Sequence, residues 1–246
     1  MASRRVGLGL AALAAAICAP FGAAWAGPPY VTDDPQPTDT GHWEIYNFAT
    51  GVGTPGDLTG EGGFDINYGG AKNLQLTAVI PAAFENANRF GAGDVELAVK
   101  YRFLNQDDHG WAPDVAFFPR VFLATGAHFD PERPGLFLPI WAEKDWGPWS
   151  LFGGGGWQLN PGAGERNFWQ DGVALSRAFG DRWSLGAEVI HQTAQTVDGK
   201  AWSAVNIGAT YKLNSHWTLM GSGGPGVQNA RQEGQYDFYA ALLATY

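Results

Sequence analysis

Residues 236–246 read YDFYAALLATY, and every second position along them carries an apolar or aromatic side chain. Successive side chains of a β-strand point to opposite faces, so this alternation predicts a strand with one apolar face. The residues of that face are Tyr236, Phe238, Ala240, Leu242, Ala244 and Tyr246. Such a strand places its apolar face against lipid or against a protein core.

This terminal run also resembles the β-signal by which barrel proteins are recognised for assembly into the bacterial outer membrane. The resemblance implies that the six residues of the apolar face act as an assembly signal, and that the barrel assembly machinery is a partner. A soluble sandwich could also end in an alternating strand. The rest of the chain therefore has to distinguish a membrane barrel from a soluble fold.

The other end of the sequence predicts export. Arg4 and Arg5 precede an apolar run, and Ala24-Trp25-Ala26 fits the small-x-small rule of signal peptidase. We expect residues 1–26 to be a signal peptide that is cleaved after Ala26 and directs the chain to the bacterial outer membrane. An uncleaved N-terminal anchor is the alternative, but the apolar run is short for a spanning helix.

The composition favours strands and argues against nucleic acid as a partner. The chain has 24 acidic and 15 basic residues and a net charge of −9, whereas nucleic-acid binding requires a basic surface. Its 35 glycines and 11 tryptophans favour many strands joined by tight turns. Cys18 is the only cysteine and lies in the expected signal peptide, so the mature chain would contain no disulfide and no thiolate metal site.

From His42 onward, the period of two divides the chain into about twelve strand-like runs, whose spacing of about 17 residues suits strands plus turns. The runs are 42–50, 60–69, 73–84, 93–104, 112–125, 135–145, 148–159, 167–179, 182–194, 201–213, 216–225 and 235–246. Pro119 and Pro139 fall inside two runs, where each removes a ladder donor. We therefore expect bulges or strand ends at these prolines, and the boundaries between 112 and 145 are the least defined.

The connections between the runs alternate in length. Short ones occupy 70–73, 145–148, 180–182 and 214–216; longer ones occupy 51–59, 85–92, 126–134, 160–166, 195–200 and 226–234, with a medium one at 105–110. Outer-membrane barrels have short periplasmic turns and long outer loops. We therefore predict an all-β fold: a transmembrane, antiparallel, up-and-down β-barrel of about 12 strands at 42–246, after a short, extended, periplasmic lead-in at 27–41.

The alternation also predicts which side chains face lipid and which face the lumen. Bulky apolar residues suit the lipid face, and small, polar or charged residues suit the lumen. Six tryptophans near predicted strand ends suit the membrane interface, namely Trp43, Trp146, Trp149, Trp183, Trp202 and Trp217. The inward set would include Glu44, Asp65, Glu96, Lys100, Arg102, Arg120, Glu143, Glu188 and Lys212. These charges could select solutes in a channel, or they could form a salt-bridge network that fills a narrow barrel.

No catalytic or metal-binding set stands out, and we expect a protein that is not an enzyme and has no metal or cofactor. An outer-membrane hydrolase would need a serine and a histidine close together, with a polar partner. His191 and Ser184 lie on one predicted strand but on opposite faces, and His128 lies in a loop without a nearby serine.

The stretch PPYVTDDP at 28–35, followed by GHWEIY at 41–46, resembles a group of outer-membrane proteins of the "meta-pathway of phenol degradation" type. Members of this group are described as transporters. The resemblance is specific in this stretch and is one of pattern elsewhere. It implies a barrel that passes small, aromatic or hydrophobic molecules.

These observations leave several functions open. The leading hypothesis is an outer-membrane channel or uptake protein, with outer-membrane lipid and a small-molecule solute as partners. The second is a closed barrel with a structural or surface-binding role. An outer-membrane hydrolase and a soluble periplasmic β-barrel are the remaining alternatives.

Overall fold

The computed structural model describes residues 29–107, 110–126 and 133–246. The expected signal peptide at 1–26, its cleavage site and His128 lie outside these residues. The described chain forms a closed, antiparallel β-barrel of twelve strands, which confirms the predicted fold. Within the same residues, no helix is long and apolar enough to cross a membrane.

Fourteen strand segments build the barrel. They are β1 (Trp43–Thr54), β2 (Asp57–Ala71), β3 (Leu74–Glu85), β4 (Arg89–Ala92), β5 (Val95–Leu104), β6 (Asp114–Phe117), β7 (Arg120–Leu123), β8 (Gly135–Trp146), β9 (Trp149–Leu159), β10 (Phe168–Phe179), β11 (Trp183–Gln192), β12 (Trp202–Lys212), β13 (Trp217–Gln228) and β14 (Tyr236–Thr245). The segments β4 and β5 both pair with β3, and β6 and β7 both pair with β5 and β8, so fourteen segments make twelve strands. Pairing of β1 with β14, from Glu44 opposite Thr245 to Gly53 opposite Tyr236, closes the sheet.

The two prolines predicted to disturb the ladder behave differently. Pro119 lies between β6 and β7 and interrupts the strand, as its missing N–H predicts. The ladder still crosses this break, because the Val99 N–H donates to Pro119 O (3.2 Å) and the Phe118 N–H donates to Pro139 O (3.1 Å). Pro139 lies inside an unbroken β8, so the bulge or strand end predicted there is wrong. The facing Gly156 allows this packing, since a Cβ at Gly156 would lie only 2.5 Å from the Pro139 Cα.

The turns at one end of the barrel are short, as predicted, but two predicted loops at the other end are wrong. Strand β1 continues to Thr54 and β2 starts at Asp57, so 51–59 is mostly paired strand with a tight turn at Gly56 (φ 87°). The stretch 85–92 contains a 3-10 turn (Asn86–Asn88) and β4. Glycines interrupt the apolar alternation of 51–59 in the sequence, although their backbones still pair. We call the end with the turns at 72–73 and 147–148 the turn end, and the opposite end the loop end.

The barrel wall is polar inside and apolar outside. On β11 and β12, the inward-facing Glu188 and Asn206 are 1% and 0% exposed, whereas the outward-facing Val189 and Ile207 are 49% and 73% exposed. The terminal strand follows the same rule, with Asp237 buried in the lumen and Tyr236 on the outer surface. A soluble barrel has the opposite arrangement, so this distribution fits a wall surrounded by lipid.

Five of the six tryptophans predicted at the membrane interface are exposed on the outer wall near strand ends: Trp43, Trp146, Trp149, Trp183 and Trp217. Trp202 is the exception and is 7% exposed. Its indole Nε1–H points into the barrel and donates to Gly234 O at 2.9 Å. The prediction for Trp202 is therefore wrong, because its position in the period of two places it on the lumen face, beside Ala204 and Asn206.

Candidate functional site in the barrel lumen

Residues 29–38, here called the luminal segment, lie inside the barrel rather than outside it, whereas residues 39–41 are exposed at the turn end, before β1. Thr32 and Pro35 of this segment are among the most deeply buried residues of the protein. The sequence predicts an extended periplasmic lead-in here, and the observed position differs from that expectation. The physical reason is that the lumen face supplies hydrogen-bond partners for the polar backbone of a segment whose prolines prevent regular pairing.

Glu188 holds the first part of the luminal segment. Its carboxylate accepts the Thr32 N–H at 2.9 Å and the Val31 N–H at 3.3 Å. Asn206 on the next strand orients this carboxylate, because its Nδ2 donates to Glu188 at 2.9 Å and to Asp237 at 2.7 Å. Strands β11, β12 and β14 therefore contribute to one anchor for the segment.

Tyr30 fits against glycines on the lumen face. A Cβ at Gly186 would lie 2.8 Å from the Tyr30 hydroxyl, and one at Gly208 would overlap the Tyr30 ring. The same ring lies 6.1 Å from the ring of Phe152. Burial raises the pKa of the Tyr30 hydroxyl, and the charge of Glu188 raises it further, so this side chain stays neutral.

Lys100 holds the middle of the segment. Its Nζ lies 3.1 Å from Asp33 Oδ1 and 3.7 Å from Asp34 Oδ1, and it donates to Asp34 O at 3.0 Å. The ammonium group also lies 4.7 Å from the centre of the Phe118 ring, a cation–π arrangement. A buried lysine needs partners of this kind, because an isolated charge in a low-dielectric site is costly.

Gln36 and Thr38 join the last part of the segment to the opposite wall. Gln36 Nε2 donates to Asp114 at 2.9 Å and to Glu143 at 2.8 Å, and its oxygen accepts from Arg102. The Thr38 N–H donates to Gln75 Oε1 at 2.8 Å. Together with the Glu188 and Lys100 anchors, these bonds hold the segment from one side of the lumen to the other.

A second ion pair lies in the lumen, between two residues of the barrel wall. Arg120 forms a bidentate pair with Glu96, at 2.7 and 2.8 Å. Bidentate geometry makes this one of the stronger kinds of ion pair. Asp65 on β2 faces the same region and accepts from Asn67 at 2.9 Å.

The nine residues predicted to line the lumen do not all join one site. All nine occupy lumen-facing positions of the period of two, and five of them bond to the luminal segment: Glu44, Lys100, Arg102, Glu143 and Glu188. Lys212 lies at the turn end of β12. The sequence pattern places Asn206, Gly186 and Gly208 on the inner face without assigning them a contact, and it missed Gln75. An amide or a glycine at a lumen-facing position of the alternating pattern is the sequence feature that identifies such residues.

Among the described residues, apolar side chains form three buried clusters in the lumen. Phe118, Phe137, Trp141 and Ala98 form one, Ile190, Trp202 and Ala204 form another that packs against Val31 of the segment, and Tyr46, Met220, Ala241 and Leu243 form the third, near the turn end. Charged side chains lie among these clusters, since the Arg120 guanidinium is 5.4 Å from the centre of the Phe118 ring. Among the residues that the structure describes, no group of histidine, cysteine and carboxylate side chains is arranged to hold a metal ion.

The chain is similar in fold to solved outer-membrane barrels. It matches an outer membrane channel from Pseudomonas putida F1 with a TM-score of 0.66, 12% identity, and coverage of 86% of this chain and 99% of that one. It matches the NanC porin with a TM-score of 0.54, 9% identity, and coverage of 83% and 99%. At these identities the likeness concerns the fold. No protein-family model matches the chain, and no curated protein matches it by sequence.

Proposed function

We propose that this protein is an outer-membrane channel for the uptake of small, aromatic or hydrophobic solutes, and that its luminal segment closes the channel. The proposal rests on what fills the lumen of the barrel. The lumen is occupied by a segment of chain that precedes β1, held by hydrogen bonds and ion pairs, rather than by side chains of the wall alone. Such a filling can leave without unfolding the barrel.

The aromatic cluster of the lumen wall supports the choice of solute. Phe118, Phe137 and Trp141 are buried while the lumen is filled, and they would offer ring surface to an apolar molecule once the channel has opened. The sequence resemblance to the phenol-pathway type points to the same class of solute. The proposal also has three further parts. The protein belongs to that group, it lies in the outer membrane, and its outer wall contacts lipid.

A closed barrel with a structural role is the second candidate. The bidentate pair of Arg120 with Glu96 favours it, because this pair joins two segments of the barrel wall and stiffens the lumen. The two candidates differ in permeability. A structural barrel stays impermeable after the segment is removed, whereas a channel becomes permeable.

Solute flux into liposomes tests the proposal. Purified wild type and a variant that lacks residues 29–38 would be reconstituted, and uptake of benzoate-sized aromatic solutes would be compared with uptake of sugars of similar size. We expect the deletion to increase flux, and aromatic solutes to enter faster than sugars. Liposomes that stay impermeable with both proteins would contradict the channel and support the structural barrel.

A further inference from the structure

Three polar side chains form a row across the outer wall near the loop end. Asp171 on β10 lies opposite His191 on β11, and His191 lies opposite Ser203 on β12. All three occupy outward positions, since they alternate with lumen-facing residues such as Ile190 and Ala204, which are 1% and 0% exposed. The row is therefore separate from the luminal site.

Ser203 and His191 are hydrogen-bonded to each other. His191 Nδ1 lies 2.8 Å from Ser203 Oγ, and the same Oγ donates to Gln228 Oε1 at 2.8 Å. A serine hydroxyl has one proton, so Ser203 is activated as a nucleophile when that proton turns from Gln228 Oε1 to an unprotonated Nδ1 of His191. Asp171 lies on the other side of the histidine, where directly opposed Cβ atoms are about 5 Å apart.

The row lies at the upper edge of the apolar wall. Two residues further into the wall, Val173 lies opposite Val189 and Val189 opposite Val205, and all three valines are exposed. A step of two residues is about 7 Å along a strand. On the other side, the side chain of Trp169 is exposed (55% for the residue), and the backbone N–H of this residue donates to Thr193 Oγ1 at 2.9 Å. An exposed indole beside a polar row and above an apolar band marks the membrane interface, where the ester groups of lipids lie.

We infer that Ser203, His191 and Asp171 form an esterase site on the outer wall, directed at fatty-acyl esters presented by the surrounding lipid. This activity goes beyond transport and does not depend on the luminal segment. The partner chemistry follows from position: acyl chains lie along the valine band while the ester carbonyl reaches the polar row.

The reaction balances with these groups alone. Ser203 Oγ attacks the ester carbonyl while His191 takes the hydroxyl proton. Collapse of the tetrahedral intermediate breaks the ester C–O bond, and the leaving alkoxide takes the proton from His191. Water, deprotonated by His191, then hydrolyses the acyl-serine and releases a fatty acid. The Gln228 carboxamide provides an N–H donor for the oxyanion, and Asp171 is the positioning residue for the imidazole.

The sequence alone did not indicate this serine–histidine pair, because its two residues lie on different strands. His191 and Ser184 share β11 but face opposite sides, as predicted, whereas Ser203 becomes the neighbour of His191 only through the register of β11 with β12. The hydrolase hypothesis lacked a serine–histidine pair at one rim, and the structure supplies one.

Covalent labelling and lipid hydrolysis test the inference together. The full-length protein in detergent micelles would be treated with a fluorophosphonate probe, and the labelled peptide identified by mass spectrometry. Fatty-acid release would be measured from mixed micelles of phosphatidylglycerol and, separately, from lipopolysaccharide. The variants are Ser203→Ala, His191→Asn and the control Ser184→Ala, with heat-dependent gel mobility as the check that each barrel is folded.

We expect the probe to label Ser203 in the wild type and in Ser184→Ala, with no labelling in Ser203→Ala and a loss of about 100-fold in His191→Asn. Fatty-acid release from one of the two lipid sources should fall in the same variants, which identifies the natural ester. If folded wild type is unlabelled and releases no more fatty acid than Ser203→Ala from either source, the row is only a polar rim of the barrel and the inference is wrong.

Discussion

Replacing Lys100 by methionine should release the luminal segment. The substitution keeps the length of the side chain but removes the charge that pairs with Asp33 and Asp34, at 3.1 and 3.7 Å. Lys100 is 4% exposed, and removing one partner of a buried ion pair costs about 3–5 kcal/mol because the other charge stays buried. The barrel can avoid this cost by letting the two aspartates return to water. At about 1.4 kcal/mol per factor of ten, the lower figure shifts the equilibrium about 100-fold toward the released segment.

A cysteine in the segment reports this shift directly. Cys18 is the only cysteine and belongs to the expected signal peptide, so Thr32→Cys would give a single thiol in the mature chain. Thr32 suits the purpose because it is 1% exposed and its Oγ1 has no hydrogen-bond partner among the described residues. The rate at which a water-soluble maleimide labels this thiol measures how often the segment leaves the lumen.

We expect Lys100→Met in the Thr32→Cys background to increase the labelling rate about 100-fold. Lys72→Met is the matched control, since Lys72 is exposed in the turn between β2 and β3 and should leave the rate unchanged. Equal labelling rates in both variants would refute the idea that the Lys100 ion pairs hold the segment. Faster labelling in both would point to general loosening of the barrel.

Two further substitutions, each with its own control, test other parts of the structure. Gly208→Val should also speed maleimide labelling of Thr32→Cys, because a side chain there overlaps the Tyr30 ring, whereas Gly70→Ala, whose Cβ would lie 3.6 Å from Leu76, should not. Ile207→Lys places a charge on the lipid face, at a residue that is 73% exposed, and should lower the free energy of unfolding in lipid by about 2–4 kcal/mol, measured by urea titration. The same change at Val197, in the connection between β11 and β12, should cost far less, and equal costs would argue against a lipid-facing wall.

The sequence was sufficient for the barrel because the fold rests on a simple repeat. Leu185, Val189 and Ile207 alternate with lumen-facing residues, and this alternation survives in almost every strand. Prediction from this alternation failed where glycine stands at an apolar position, as at 51–59. There the backbones still pair, but no apolar side chain marks the strand. It also could not place Pro139, because the glycine that accommodates it lies on another strand.

The lumen was only partly predictable for a related reason. Alternation placed Lys100 and Glu188 on the inner face, but the partners of these charges come from the luminal segment, which is 67 and 156 residues away in sequence for the Asp33 and Thr32 contacts. The same limit applies to Ser203 and His191, which become neighbours only when β11 and β12 pair. Contacts that depend on register between strands carry no local sequence signal.

Single-channel conductance in a planar lipid bilayer tests most directly whether the luminal segment closes a channel. The comparison is between the wild type and the variant that lacks residues 29–38, each inserted as a folded barrel. We predict small conductance for the wild type and a severalfold larger, stable conductance for the deletion variant. Equal conductance of the two proteins, or an electrically silent deletion variant, would contradict the proposal that this segment is what blocks the lumen.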